Sequence, residues 1–194
     1  MQDGSNYLTE HARLFTLWGD IEYLDNYFTE ENETRRVDLS AEKLQEYSGE
    51  SDSFAYITTA FQLSRALTKI EYRAMRLMVE AMGVEPAEWP QELLDTVLSE
   101  EEAALSKYEK VEAAQHLLRS KTYQEKRDGI AASITAYRDT MAAVTRDQQT
   151  KAAGRLSASL WQLGVHSVLL VVSIFASWAL VYLLIVRPIA RGIG

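Results

Sequence analysis

Apolar residues recur along this chain at intervals of three and four, the spacing that stacks side chains on one face of an α-helix. Leu14, Leu17, Trp18, Ile21, Leu24 and Phe28 form a first stripe, and the polar run 29–36 ends or frays its helix. A short amphipathic helix is expected over 40–48. Phe54, Ile57, Phe61, Ser64, Leu67, Ile70, Ala74, Leu77 and Ala81 mark a second long helix. Asp52 or Ser53 can cap its start, and Gly83 stands where a left-handed C-terminal residue belongs. Pro86 and Pro90 fix a turn over 84–90, and a short helix is expected over 91–98. Ser99-Glu-Glu-Glu102 fits a capping box, from which a helix is expected to run through Leu105, Tyr108, Val111, Gln115 and Leu118 to about Arg119. Ser120 or Thr122 can cap the next helix. In it Ile130, Ile134, Tyr137, Met141, Val144 and Gln148 follow at alternating spacings of four and three, a heptad seam.

Val165 to Val186 is the clearest signal. These 22 residues hold no Asp, Glu, Lys or Arg and would span about 33 Å as a helix, against a hydrocarbon core of ~30 Å. Trp161 and Tyr182 stand toward its two ends, as in interfacial aromatic belts. A buried core helix is the competing reading, but a core helix of this length is rarely apolar on every face. No proline interrupts the chain from Thr122 to Arg187. A single helix of about 66 residues, ~100 Å long, is therefore expected to lead from the domain into a bilayer. Gly129, Gly154 and Gly164 weaken it by roughly 1 kcal/mol each without breaking it. No strand-period segment is visible. The expected fold is all-α: an antiparallel four-helix bundle whose last helix continues as a transmembrane helix. The expected domains are a helical bundle over 1–160, a membrane helix over 161–187 and the start of a cytoplasmic linker over 188–194.

Composition narrows the function. The formal net charge is -8, and without Arg187 and Arg191, the two charged residues beyond Arg155, it is -10. Such a surface repels phosphate backbones, so nucleic-acid binding is not expected. With no cysteine, disulfides, thiolate zinc sites and cysteine nucleophiles are excluded. The first residues carry no basic stretch followed by an apolar run, so no signal peptide is expected, and a first membrane helix is expected upstream of Met1.

His11, His116 and His166 lack zinc-site spacing, and no phosphate-binding loop, dinucleotide fingerprint or nucleophile elbow occurs. No catalytic residue, metal site or cofactor is expected. Glu71 is the exception to bland patterning, because it falls with Ser64 and Thr68 on or beside the apolar face of its helix, near Arg65, Arg73 and Arg76. Arg65, Thr68, Glu71 and Arg76 are therefore the candidate ligand-binding residues, with a salt bridge on the helix flank as the alternative. Gly154, Gly164, Arg187 and Pro188 are the candidate signal-transmission residues.

The tail Leu183-Leu-Ile-Val-Arg-Pro-Ile-Ala-Arg-Gly-Ile-Gly194 resembles the exit of membrane helices in bacterial receptors, where Arg187-Pro188-Ile189 would lead into a HAMP-like linker. The stretches 64–75, 105–114 and 123–130 resemble the helical sensor regions ahead of GGDEF diguanylate cyclases. The resemblance implies an extracytoplasmic input module, anchored in the inner membrane and feeding a cyclase or kinase output that is absent here. It implies a lipid bilayer, a second copy of the chain and a small-molecule or periplasmic-protein ligand as partners. A tail-anchored helical adaptor is the alternative. Basic residues do not choose between them, since Lys151 and Arg155 flank one side of the apolar run and Arg187 and Arg191 the other.

Overall fold

The structure, a computed structural model, describes residues 1–48 and 53–181, all of whose regular secondary structure is helical. Arg187 and Pro188 lie outside the described residues. Contacts divide the chain into two compact units, Met1–Met141 and Ala142–Gly194.

In the first unit, helix α1 (Gln2–Trp18) ends at Gly19, whose φ of 68° is a left-handed conformation that glycine adopts without a Cβ penalty. Asp20 then caps α2 (Ile21–Thr29), accepting from the Glu22 amide at 3.0 Å. The apolar stripe expected to run unbroken from Leu14 to Phe28 is thus cut by a glycine C-cap followed at once by an aspartate N-cap. The break re-aims the chain. Leu8, Ala12 and Phe15 of α1, with Leu24, Tyr27 and Phe28 of α2, form the buried face, while Leu17, Trp18 and Ile21 are exposed.

A turn of π-helix (Glu30–Thr34) follows α2 and stops at Arg35, the single non-glycine residue with positive φ (49°) among those described. Helix α3 (Arg36–Ser48) begins there, earlier than the expected residue 40. Helix α4 (Ser53–Met82) is the central element and buries the predicted stripe, including Ile57, Leu67, Ala74, Leu77 and Ala81, before ending at Gly83 (φ 75°). A 3-10 turn (Pro86–Glu88) and α5 (Gln91–Asp95) make the connection.

The capping box at Ser99 forms as expected, yet its helix α6 (Glu100–Ala103) is one turn long. Ser106-Lys-Tyr-Glu109 is a second capping box and starts α7 (Lys107–Arg119) afresh. Ser120 accepts from the Tyr123 amide at 3.2 Å and opens α8 (Lys121–Val181). Within the first unit α8 lies close against α4. An added Cβ at Gly129 would stand 2.8 Å from Leu63 Cδ1, so glycine here permits the close approach. Moving along α7 and α8 from Lys110 to Tyr123 to Gly129, the α4 neighbours fall in reverse order: Glu80, Glu71, Leu63.

Along the predicted seam, Ile130 is buried, Ile134, Tyr137 and Met141 are half-buried and Val144 is exposed. The packed unit therefore ends near Met141. In the second unit every residue from Ala142 to Leu180 is exposed. It holds the stretch of helix that is long and apolar enough to cross a membrane. Within that apolar stretch the polar side chains bond back to their own helix: His166 Nδ1 lies 2.8 Å from the Gln162 carbonyl, and Ser167, Ser173 and Ser177 donate to carbonyls at 2.9, 2.8 and 2.9 Å. Self-satisfied polar groups on a helix with apolar surface all round suit a hydrocarbon environment.

Candidate functional site

Helix α4 places Ser64, Thr68 and Glu71 one turn apart along its inner face, and all three are buried. Glu71 is 1% exposed. Its carboxyl accepts from three hydroxyls on three other helices: Thr9 of α1 (3.1 Å to Oε1), Tyr27 of α2 (2.8 Å to Oε2) and Tyr123 of α8 (2.7 Å to Oε1). No cation pairs with it among the described residues. Burial pushes the Glu71 carboxyl above the usual carboxylate range, while the three hydroxyl donors pull it back down in part. The same burial, beside the Glu71 charge, raises both tyrosines above their ordinary range. A proton added to this carboxyl turns one acceptor oxygen into a donor, so one of the three hydroxyls must reorient to accept. The state of one group is thereby tied to the positions of four helices.

One turn toward the start of α4 the chemistry changes to ion pairs. Arg65 is exposed and donates to Glu31 (2.8 Å) and Asp38 (2.7 Å), holding the π-turn and α3 against α4. Tyr72 donates to the same Glu31 oxygen at 3.3 Å. Burial raises the Glu31 carboxyl despite the opposing pull of Arg65. Glu30, 3% exposed, is held by Arg36 through its amide (3.1 Å) and guanidinium (2.7 Å). Thr68 donates to the Ser64 carbonyl at 3.1 Å and, with Arg65, borders a cavity of about 10 Å³, the room of a single water. Beyond it, Arg35, Asp38, Glu42, Phe54, Ile57 and Phe61 line with Arg65 an open groove of about 400 Å³ between α3 and α4.

The four predicted ligand residues therefore separate into three environments. Arg65 and Thr68 share the cavity and Glu71 sits sealed in the core. Arg76 faces elsewhere, pairing with Glu80 (2.8 Å), donating to the Leu93 carbonyl (2.7 Å) and lying 4.2 Å over the Trp89 ring. Gly154 and Gly164 meet nothing within 4 Å of an added Cβ. Sequence reading missed the hydroxyl partners of Glu71 and the place of Arg35. The Arg35 signal is its position at the end of the polar run 29–36; the hydroxyls carry no local signal. Every buried side-chain nitrogen and oxygen among the described residues has a partner; the groove is one of several open clefts, and another, of about 490 Å³, is lined by Tyr108, Val111, Gln115 and Arg119 of α7. Comparison with protein-family models, with curated proteins and with solved structures gives no match.

Proposed function

We propose that this chain is the extracytoplasmic input module of a bacterial membrane receptor, with its C-terminus in the cytoplasm leading to a cyclase or kinase output. The observation that carries the reading is α8: the helix that donates Tyr123 to the buried Glu71 is also the helix that holds the exposed apolar segment. A change of packing around Glu71 thus acts on the element that would enter the bilayer. The packed unit is best read as an antiparallel four-helix bundle of α1, α2–α3, α4 and α7–α8, which the reversed order of contacts between α4 and α7–α8 supports. The exposed stretch from Val144 onward is read as a surface for a second copy, with Gly154, Gly164 and the Arg187-Pro188 exit as points where helix rotation passes or fails. The module has no catalytic role in this reading. Its partners are the inner membrane, its own second copy and a ligand.

The orientation is tested in intact cells carrying the whole gene. A cysteine at Glu85, which is exposed, should react with a membrane-impermeant maleimide, while one at Gly194 should react only after lysis. The opposite pattern would establish the tail-anchored adaptor instead.

A further inference from the structure

We infer that the groove between α3 and α4 is a binding site for a small zwitterion of amino-acid type with an apolar side chain. Its volume of about 400 Å³ falls within the ~300–1,000 Å³ of small-molecule sites. Phe54, Ile57 and Phe61 follow one another at helical spacing on α4 and form an apolar wall. The rim carries both signs. Arg35 and Arg65 are each 44% exposed at the side chain, with guanidinium N–H groups left over after their ion pairs. Arg65 is already set over the Phe61 ring at 5.3 Å. Glu42 is 65% exposed and only loosely held, 3.8 Å from Arg35. A ligand carboxylate meets the arginines, its ammonium meets Glu42 and its side chain covers the apolar wall. A ligand with one charge would meet the arginines or Glu42, but not both.

A second, independent observation marks the same place. Arg35 occupies the left-handed region at φ 49°, where an arginine is strained and a glycine is not, and it is presented there by a turn of π-helix. Strain of this kind persists where the surrounding structure imposes it, and it clusters at functional sites. The Arg35 amide still closes the turn on the Glu30 carbonyl at 2.7 Å, a bond that needs no side chain. The guanidinium pairs with Asp38 at 3.3 Å and reaches Glu42 at 3.8 Å, on the rim of the groove.

This inference rests on the input-module reading for its meaning, but binding is measured on the purified whole chain in detergent, so its failure leaves the topology experiment standing and the reverse also holds. Isothermal titration would compare L-phenylalanine and L-leucine with glycine, phenethylamine and 3-phenylpropanoate. The expected result is saturable one-to-one binding of the first two. Each single-charge analogue should be weaker by about tenfold, the worth of one charge-assisted hydrogen bond, and glycine, which lacks the apolar body, weaker still. Arg35→Gly should lower phenylalanine affinity by ~10-fold or more while leaving the denaturation midpoint unchanged or raised. Glu42→Gln should weaken phenylalanine but not 3-phenylpropanoate. Absence of saturable binding, equal affinity for either single-charge analogue, or full affinity in Arg35→Gly would overturn the assignment.

Discussion

Replacing Glu71 isolates the contribution of one buried carboxyl. Glu71→Ala strands the hydroxyls of Thr9, Tyr27 and Tyr123 and opens a hole in the core. A stranded buried donor costs ~1–3 kcal/mol, and part of that is recovered where hydroxyls turn to one another or water enters, so a loss of about 3–5 kcal/mol is expected. Glu71→Gln keeps the shape and one acceptor oxygen, and its amide can donate to a tyrosine hydroxyl that turns to accept, so its cost should be small. The two variants differ more sharply in pH dependence. The folded-state pKa of Glu71 is raised by burial, so its stabilising contribution is complete below the unfolded value of 4.5 and declines as pH rises through the folded value. Glu80, Glu102 and Glu109 are lowered instead, Glu80 by Lys110 and Arg76, Glu102 by Arg73 and Ser99, and Glu109 by Ser106, each against a desolvation that favours the neutral form. Their contribution is lost on acidification in wild type and variant alike and cancels in the difference. Denaturant titrations of the whole chain in detergent, followed by tyrosine near-UV circular dichroism at intervals between pH 4.5 and 9, should therefore show Glu71→Gln gaining on wild type as pH rises above 4.5 and levelling off once the folded-state value is passed. A difference that stays flat over this range would refute the raised carboxyl, and a loss below about 1 kcal/mol in Glu71→Ala would refute its role as the tie between helices.

Other substitutions have signs that follow from the packing. Gly4→Ala should destabilise by about 1–3 kcal/mol, since its Cβ would stand 3.0 Å from Arg36 Cβ and 3.2 Å from the Val37 backbone nitrogen; thermal denaturation reads this directly. Gly154→Ala and Gly164→Ala meet open space and should raise helicity in micelles, by up to ~1 kcal/mol of propensity per site. Ser106→Ala removes the side chain that starts α7 and should cost about 1 kcal/mol, visible as a lower denaturation midpoint with an unchanged slope.

Periodicity made the helices legible, and it failed where local chemistry overrode it. The stripe through Leu14, Trp18 and Ile21 runs on across Gly19-Asp20, although a glycine and an aspartate in that order end one helix and begin another. The spacing from Ser99 to Arg119 likewise runs on across Ser106, whose capping box repeats the pattern at Ser99. In both places two short helices share a continuous apolar spacing, so periodicity alone carries no mark of the break. Glu71 was visible as an acid on an apolar face, but its partners lie 62, 44 and 52 residues away in the chain. Hydroxyls on distant helices announce nothing until the helices pack. Arg65 and Arg76 looked alike in sequence and part company because α4 turns one toward α3 and the other toward α5.

The central claim is that α8 carries a change from the packed unit to the membrane. Single cysteines from Ala152 to Ser159, oxidised in native membranes, test it most directly. Crosslinks between copies should rise and fall with a period of about 3.6 residues, and one residue inserted beside Gly154 should shift that phase by about 100° and alter the output of the intact receptor. Uniformly absent crosslinks, or a phase and an output that both ignore the insertion, would contradict a continuous helix as the transmitting element.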